Sequence, residues 1–140
     1  MPLPEPKRWE RPWGWFECLD RGPLFQVKRL QIEAGQRLSL QRHRQRSEHW
    51  VVLEGGGWLE REGERFEAVQ GTSLLIPQGA VHRATAGSTA LVILEAQFGS
   101  WLAEDDIERL EDDYGRSPGP DHAGPDEAQR TPALKRRGCE

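Results

Sequence analysis

The chain has 140 residues, of which 36% are hydrophobic and 30% charged, so it has room for one compact domain with a modest core but not for two. No apolar run approaches the ~20 residues that span a bilayer, and the N-terminus lacks the apolar segment of a signal peptide, so a cytoplasmic protein without membrane contact is expected. The formal net charge of −4 argues against a general nucleic-acid-binding protein.

Short strands dominate the pattern along the chain. The first eight residues contain three prolines and no periodicity, which predicts an extended arm over residues 1–8, before a globular domain over residues 9–116. Within the domain, runs of strand-forming residues are separated by Gly, Pro or Ser, as in antiparallel sandwiches and barrels. The predicted strands are Phe25–Ile32, Trp50–Leu53, Trp58–Glu60, Arg65–Val69, Ser73–Ile76, His82–Thr85 and Ala90–Gln97.

The C-terminal part departs from this pattern. Ile107, Leu110 and Tyr114 are spaced i, i+3 and i+7, which predicts a short helix from Glu104 to Tyr114 that caps the barrel. Residues 117–140 are rich in Pro and Gly and contain little to bury, so they are predicted to form a disordered tail.

The cysteine content offers neither a disulfide framework nor a thiolate metal site. Cys18 and Cys139 are the only cysteines, they lie far apart in the sequence, and neither belongs to a CxxC pair. Both are predicted to be reduced thiols.

Two spaced motifs carry the chemistry of the sequence. The first contains Gly35, Gln41, His43, Glu48 and Gly55, and the second contains Gly71, Pro77, Gly79 and His82. Their spacings resemble the paired motifs of the cupin superfamily, although Gln41 stands where the first histidine of that pattern is usual. The resemblance implies an all-β fold, the cupin double-stranded β-helix or jelly-roll barrel.

The motif residues are chemically suited to a metal ion. Side chains at i and i+2 on a strand share a face, so Gln41 and His43 can reach one inward point, which Glu48 joins after a bend and His82 from a distant strand. Mixed nitrogen and oxygen donors with open positions suit a divalent catalytic ion such as Zn, Fe, Mn, Co or Ni. Taken alone, each of these residues could be an ordinary solvated polar side chain. The joint spacing favours a metal site, and the alternative is a cupin that keeps the shape without the metal.

Two other histidines are given no ligand role. His49 follows Glu48 directly and points to the opposite face if both lie in a strand, so a structural role is predicted for it. His122 lies in the predicted tail.

One family within the cupins matches further segments of the chain. The similarity runs from about Trp9 to Arg116 and resembles the C-terminal domain of type II phosphomannose isomerases. The matching segments are Arg11-Pro12-Trp13-Gly14, Phe25-Gln26-Val27-Lys28-Arg29, Leu38-Ser39-Leu40-Gln41, Arg46-Ser47-Glu48-His49-Trp50, Ile76-Pro77-Gln78-Gly79-Ala80-Val81-His82-Arg83, and Glu104-Asp105-Asp106-Ile107 through Tyr114-Gly115-Arg116.

This resemblance implies an activity and a metal site. The family's domain interconverts mannose 6-phosphate and fructose 6-phosphate and is usually fused behind a mannose-1-phosphate guanylyltransferase domain, which this chain does not contain. The set Gln41, His43, Glu48 and His82 also resembles the zinc site of type I phosphomannose isomerases, which likewise use a Gln. Relatives often carry a His-rich run where this chain has Arg44 and Gln45, a departure that bears on whether activity is retained.

The implied isomerisation requires an acid or base and a site for the phosphate. Lys28 and Glu95 are the candidate bases, and Arg83, next to His82, is a further candidate catalytic residue. A phosphate dianion favours arginine partners. The phosphate candidates are Arg29, Arg83 and Arg116, followed by Arg42, Arg44 and Arg46.

Two other functions remain open at this point. One is a non-catalytic cupin that binds a sugar or sugar phosphate as a sensor or accessory subunit, and the other is a different cupin enzyme such as a dioxygenase or a sugar epimerase. A small-molecule sugar phosphate is the expected ligand in the isomerase reading. A homodimer is the expected assembly, because cupins of this size often pair through exposed sheet edges.

Overall fold

The structure is a computed structural model that describes residues 7–116. The predicted tail over 117–140, and residues 1–6 of the predicted arm, lie outside the described residues. The described chain forms eleven strands. They are β1 (Arg8–Arg11), β2 (Gly14–Gly22), β3 (Phe25–Ile32), β4 (Leu40–Arg42), β5 (Ser47–Glu54), β6 (Gly57–Arg61), β7 (Glu64–Ala68), β8 (Ser73–Ile76), β9 (His82–Ala86), β10 (Leu91–Phe98) and β11 (Glu108–Glu111).

These strands form two antiparallel sheets. The six-stranded sheet has the order β1-β2-β3-β10-β5-β8, and the five-stranded sheet has the order β11-β4-β9-β6-β7. Neighbouring strands in each sheet are often distant in sequence, as in a jelly roll. The predicted all-β architecture is confirmed, and β3 and β8 have the predicted bounds.

The inner face of the six-stranded sheet has an apolar part and a polar part. Alternate residues of β3 and β5 are buried, as expected for strands with one face toward a core. Ile32, Trp50 and Ile93 are completely buried and belong to the apolar core. Lys28 and Glu95 lie on the same inner face and are also buried, so this sheet carries charged groups into the interior.

The predicted helix from Glu104 to Tyr114 is wrong. Its central part is the strand β11, which pairs with β4 at the margin of the five-stranded sheet. Leu110, which the helix would have buried, is 44% exposed. The cause is tertiary: hydrogen bonding to β4 satisfies backbone groups along an otherwise open edge, and this outweighs a weak local periodicity.

The prediction of a reduced thiol is also wrong for Cys18. This residue lies in β2 and is disulfide-bonded. Cys139 lies outside the described residues. In the part of the chain from Lys7 to Arg116, no helix has the length and apolar character needed to cross a bilayer.

The turn after β5 depends on a glycine. Gly55 has a φ of 84°, and a Cβ atom placed there would lie 1.9 Å from the carbonyl oxygen of Ala90, at the start of the β10 segment. Gly63, between β6 and β7, has nearly the same φ of 83° but no atom within 4 Å of such a Cβ. A side chain at Gly63 would therefore meet backbone strain alone, whereas one at Gly55 would meet the same strain and a steric clash as well.

We expect Gly55→Ala to destabilise the protein more than Gly63→Ala. Both variants place alanine at positive φ, which costs about 1 kcal/mol or more, but only Gly55→Ala also forces the Ala90 carbonyl to move, which adds roughly 1–3 kcal/mol. Urea denaturation followed by tryptophan fluorescence measures the difference. Equal losses of unfolding free energy for the two variants would show that the contact with Ala90 does not constrain the fold.

Candidate metal centre

The polar parts of the two inner faces enclose a cavity of about 80 Å³. His43, which follows β4, and His82, the first residue of β9, both line it. Glu48, from β5 in the other sheet, is buried and reaches the same point. The predicted convergence of these three side chains is therefore present in the structure.

The three side chains are close enough to share one cation. The distance from His43 Nε2 to Glu48 Oε2 is 3.2 Å, and from His82 Nε2 to Glu48 Oε1 it is 3.6 Å. One potential ligand atom from each residue lies within 4.8 Å of the others, and the imidazole centroids are 5.0 Å apart. All three residues are at most 3% exposed, so solvent water has little access to their potential ligand atoms.

Backbone carbonyls orient both imidazoles for metal binding. His43 Nδ1 lies 2.7 Å from the carbonyl oxygen of Asp106, and His82 Nδ1 lies 2.9 Å from that of Ala80. A carbonyl only accepts, so each Nδ1 carries a proton and Nε2 is the ring nitrogen that faces Glu48. Metal-binding histidines in proteins are commonly fixed this way. The donor set therefore fits a divalent cation.

Electrostatics keeps the centre in a ligand-competent form. Burial and the nearby Arg46 guanidinium lower the pKa of His43 well below its ordinary value, so its ring is neutral at pH 7. Burial, the largest single influence, would raise the pKa of Glu48, but the charge of Arg46, the neighbouring His82 and side-chain hydrogen bonds together outweigh it, and the pKa is lowered. A neutral imidazole beside an ionised carboxylate is the arrangement that a metal ion requires.

Gln41 lies beside this group. It is opposite His82 in the pairing of β4 with β9, and its side chain lines the same cavity. Its amide nitrogen donates to the Ser39 carbonyl at 3.2 Å, so the amide oxygen is the atom suited to a cation. The role of Gln41 as a fourth ligand stays a prediction.

Arg46 is more central than its sequence pattern indicated. It is 7% exposed, its Nε donates to Glu48 Oε2 at 2.8 Å, and its Nη2 lies 3.3 Å from His43 Nε2. From the sequence, Arg46 was predicted only as a second-choice candidate for binding the phosphate. Its first role in the structure is to hold and neutralise the buried Glu48.

Both candidate bases line the cavity. Glu95 accepts hydrogen bonds from Trp50 Nε1 at 3.0 Å and from Gln97 Nε2 at 2.7 Å, and Trp50 Nε1 also donates to Glu48. Burial and the neighbouring Glu48 carboxylate raise the pKa of Glu95 to about 7. The Lys28 ammonium is paired with Glu104. Glu95 and Lys28 are opposite each other in the pairing of β10 with β3.

The arginines predicted to bind phosphate lie in different places. Arg116 lines the cavity. Arg83 does not line it, and its guanidinium donates to the Leu38 carbonyl, just before β4, and to the Glu111 carboxylate in β11. Arg29 also lies off the cavity and donates to Glu17. The roles of Arg83 and Arg29 stay predictions that this placement does not favour.

Two reserve candidates, Arg42 and Arg44, lie within ion-pair distance of Glu108 and do not line the cavity. Arg44 and Gln45, the positions that depart from the family's His-rich run, both have exposed side chains. His49 lies in β5 on the face opposite Glu48, as the strand alternation predicted.

Sequence reasoning missed three residues of this centre. The Asp106 carbonyl holds His43, and its carboxylate accepts the backbone N–H groups of residues 44 and 45 at 2.9 Å. Arg11 and Arg109 line the cavity. All three lie in segments that match the family, which was the available signal. Arg109 was assigned to the predicted helix, where the structure has the strand β11.

The sequence matches a family profile described as "Mannose-6-phosphate isomerase C-terminal" over residues 5–112. The alginate biosynthesis protein AlgA of Pseudomonas aeruginosa is 47% identical over 111 residues, covering 79% of this chain and 23% of that protein. The mannose-1-phosphate guanylyltransferase ManC of Salmonella typhimurium is 42% identical over 107 residues, covering 76% of this chain and 22% of that protein. The chain thus spans less than a quarter of either relative.

Solved structures show the same fold at low identity. The capsular polysaccharide assembling protein CapF of Staphylococcus aureus superposes with a TM-score of 0.67 at 21% identity, over 78% of this chain and 33% of that one. An RmlC-like cupin from Shewanella frigidimarina gives a TM-score of 0.62 at 14% identity, over 68% of this chain and 85% of that one. These likenesses confirm the predicted cupin fold.

We expect His82→Ala to lose the bound metal, because it removes one of two nitrogen donors from a buried site. The affinity should fall by more than the roughly 10- to 100-fold that supporting residues of metal sites contribute. His49→Ala is the matched control, since His49 lies on the other face, and it should retain the metal content of the unchanged protein. Elemental analysis of untagged protein measures both. A His82→Ala protein with full metal content would remove His82 from the ligand set.

Proposed function

The chain belongs to the mannose-6-phosphate isomerase C-terminal family, and we propose that it is a metal-dependent aldose–ketose isomerase that interconverts mannose 6-phosphate and fructose 6-phosphate. The observation that carries this proposal is the buried group His43, Glu48 and His82 in a cavity also lined by Glu95 and Lys28. Donors for a cation and groups that exchange a proton thus face the same space.

We assign the isomerase reaction, and not guanylyl transfer, to this chain. The matched profile is that of the isomerase domain and covers residues 5–112, whereas the chain spans only 22% of the relative named as a guanylyltransferase. The two positions that depart from the family's His-rich run are exposed and off the cavity. Their placement supports retention of the catalytic set.

The proposed ligands of the cofactor are His43, Glu48, His82 and Gln41. Two imidazole nitrogens and two oxygen donors suit a divalent ion, and Zn is our first choice. When bound, such an ion supplies Lewis-acid polarisation of the sugar carbonyl. Its ligands are held by the Asp106 and Ala80 carbonyls and by the Arg46 and Trp50 donors, so the chain fixes the site's geometry in advance.

Glu95 is the proposed acid–base residue. Interconversion of an aldose and a ketose moves a proton between C2 and C1, which requires a group that accepts the proton and returns it. The Glu95 carboxylate lines the cavity, and the Trp50 and Gln97 donors hold it in place. Lys28 is paired with Glu104, and its ammonium group has donors but no acceptor, so we assign it electrostatic support of Glu95.

Half-buried side chains, among them Arg11 and Arg116, lie between solvent and the cavity. Substrate would pass these side chains to reach the proposed metal ligands. The cytoplasmic location and the homodimer stay predictions from the sequence.

The function is tested by incubating metal-loaded protein with mannose 6-phosphate and coupling fructose 6-phosphate formation to a spectrophotometric readout. Turnover that depends on the metal would support the isomerase. Binding of mannose 6-phosphate without turnover would favour the alternative, a sugar-phosphate-binding cupin that acts as a sensor or accessory subunit. Binding of neither sugar phosphate would point to another cupin enzyme.

We expect Glu95→Gln to lower kcat by roughly 100- to 10,000-fold, the range typical of a lost acid–base group. The amide keeps an oxygen acceptor for Trp50, so the fold and the metal content should be retained. Glu67→Gln, at an exposed position of β7, should leave kcat unchanged. A folded, metal-loaded Glu95→Gln protein with full activity would exclude Glu95 as the base.

A further inference from the structure

The cavity carries more cationic than anionic side chains. Two carboxylates, Glu95 and Glu104, and five cationic residues line it. The cationic residues are Arg11, Lys28, Arg46, Arg109 and Arg116. Lys28 is paired with Glu104, and Arg46 is paired with the proposed metal ligand Glu48. The other three arginines have no assignment in the proposed reaction.

Strand register places Arg109 at a defined distance from the metal ligands. Arg109 in β11 is opposite Gln41 in β4, and Gln41 is opposite His82 in β9. Residues that are opposite each other in paired strands project from the same face. Adjacent strands lie ~4.8 Å apart, so the Cα atom of Arg109 is two strand spacings, or ~10 Å, from that of His82.

The other two arginines reach the same cavity from different segments. Arg116, just after β11, is held by Asp112, which accepts from its Nε and its Nη2 at 3.0 Å each. Arg11 ends β1 at the margin of the other sheet. Its guanidinium lies 5.0 Å from the centroid of the Phe16 ring, and its Nη1 donates to the Glu10 carbonyl at 2.8 Å. Both residues are partly exposed, so an entering ligand can reach them.

Like charges are crowded at this point. Burial, and after it the neighbouring Arg116 guanidinium, lower the pKa of Arg109, although Asp112 and Glu104 oppose the effect. Crowding of cations costs free energy that a bound dianion would relieve. Arginine is also the side chain best suited to a phosphate, because its planar guanidinium donates two parallel hydrogen bonds.

We propose that Arg11, Arg109 and Arg116 form the binding site for the phosphate group of the substrate. Mannose 6-phosphate carries its phosphate on C6, at the opposite end of the carbon chain from the C1 and C2 atoms that react. Phosphate at the arginines would direct those atoms toward His82 and Glu95. The identity of the sugar rests on the proposed function, whereas binding of a phosphate dianion by the three arginines does not.

The site is tested by calorimetric titration of metal-loaded protein with inorganic phosphate, mannose 6-phosphate and mannose. We expect Arg109→Gln and Arg11→Gln each to weaken binding of both phosphate compounds about 10-fold or more, with mannose binding and metal content unchanged. Arg65→Gln is the matched control, since Arg65 lies on β7 against Trp58 and off the cavity. Arg11→Gln changes a partly exposed side chain that makes a backbone hydrogen bond, a ring contact and a charge interaction with Glu104, so it tests the site even if Arg109→Gln does not fold.

The outcomes separate this inference from the proposed function. Phosphate binding that both arginine variants reduce, in a protein without isomerase turnover, would support the phosphate site and overturn the isomerase. Turnover of mannose 6-phosphate with an unchanged KM in both variants would support the isomerase and overturn the phosphate site. Failure of the unchanged protein to bind inorganic phosphate or mannose 6-phosphate would overturn both.

Discussion

The Glu48 carboxylate is the group on which the interior depends. It is 1% exposed, and an isolated ionised carboxylate at such a depth would be strongly unfavourable. Arg46 donates to one of its oxygens and Trp50 to the other, while the two imidazole Nε2 atoms lie within 3.6 Å. Removal of Arg46 would leave the buried carboxylate without its cationic partner, and loss of any other neighbour would remove part of its compensation, so the centre acts as one unit.

Two rows of side chains face each other across the cavity. In the six-stranded sheet, register places Lys28, Glu95 and Trp50 side by side. In the five-stranded sheet, it places Arg109, Gln41 and His82 side by side. The first row contains Glu95, the proposed acid–base residue, and the second contains the residues proposed to bind the metal and the phosphate. The division follows from the antiparallel pairing itself, because residues in register must share a face.

The sequence predicted the elements whose signal is local. Strand β3 reads as a run of strand formers, and the spacing from Gln41 to His82 located the buried donors before any coordinates. Arg109 was missed because three apolar residues fitted a helical period, whereas pairing with β4 determines the conformation. Arg46 was undervalued because no spacing rule shows that a guanidinium will lie 2.8 Å from a buried carboxylate on a residue two positions away.

Two of the proposed metal ligands and two arginines of the cavity lie on different strands of the two sheets. Glu48 and His82 lie on inner strands, β5 and β9, which pair on both sides and are constrained by the barrel. Arg11 and Arg109 lie on β1 and β11, the marginal strands of the two sheets. A marginal strand has one neighbour, so its sequence can change with less effect on the fold. In this chain the marginal strands contribute arginines, so in the proposed phosphate site the ligand would be selected by strands other than those that hold the metal-binding donors.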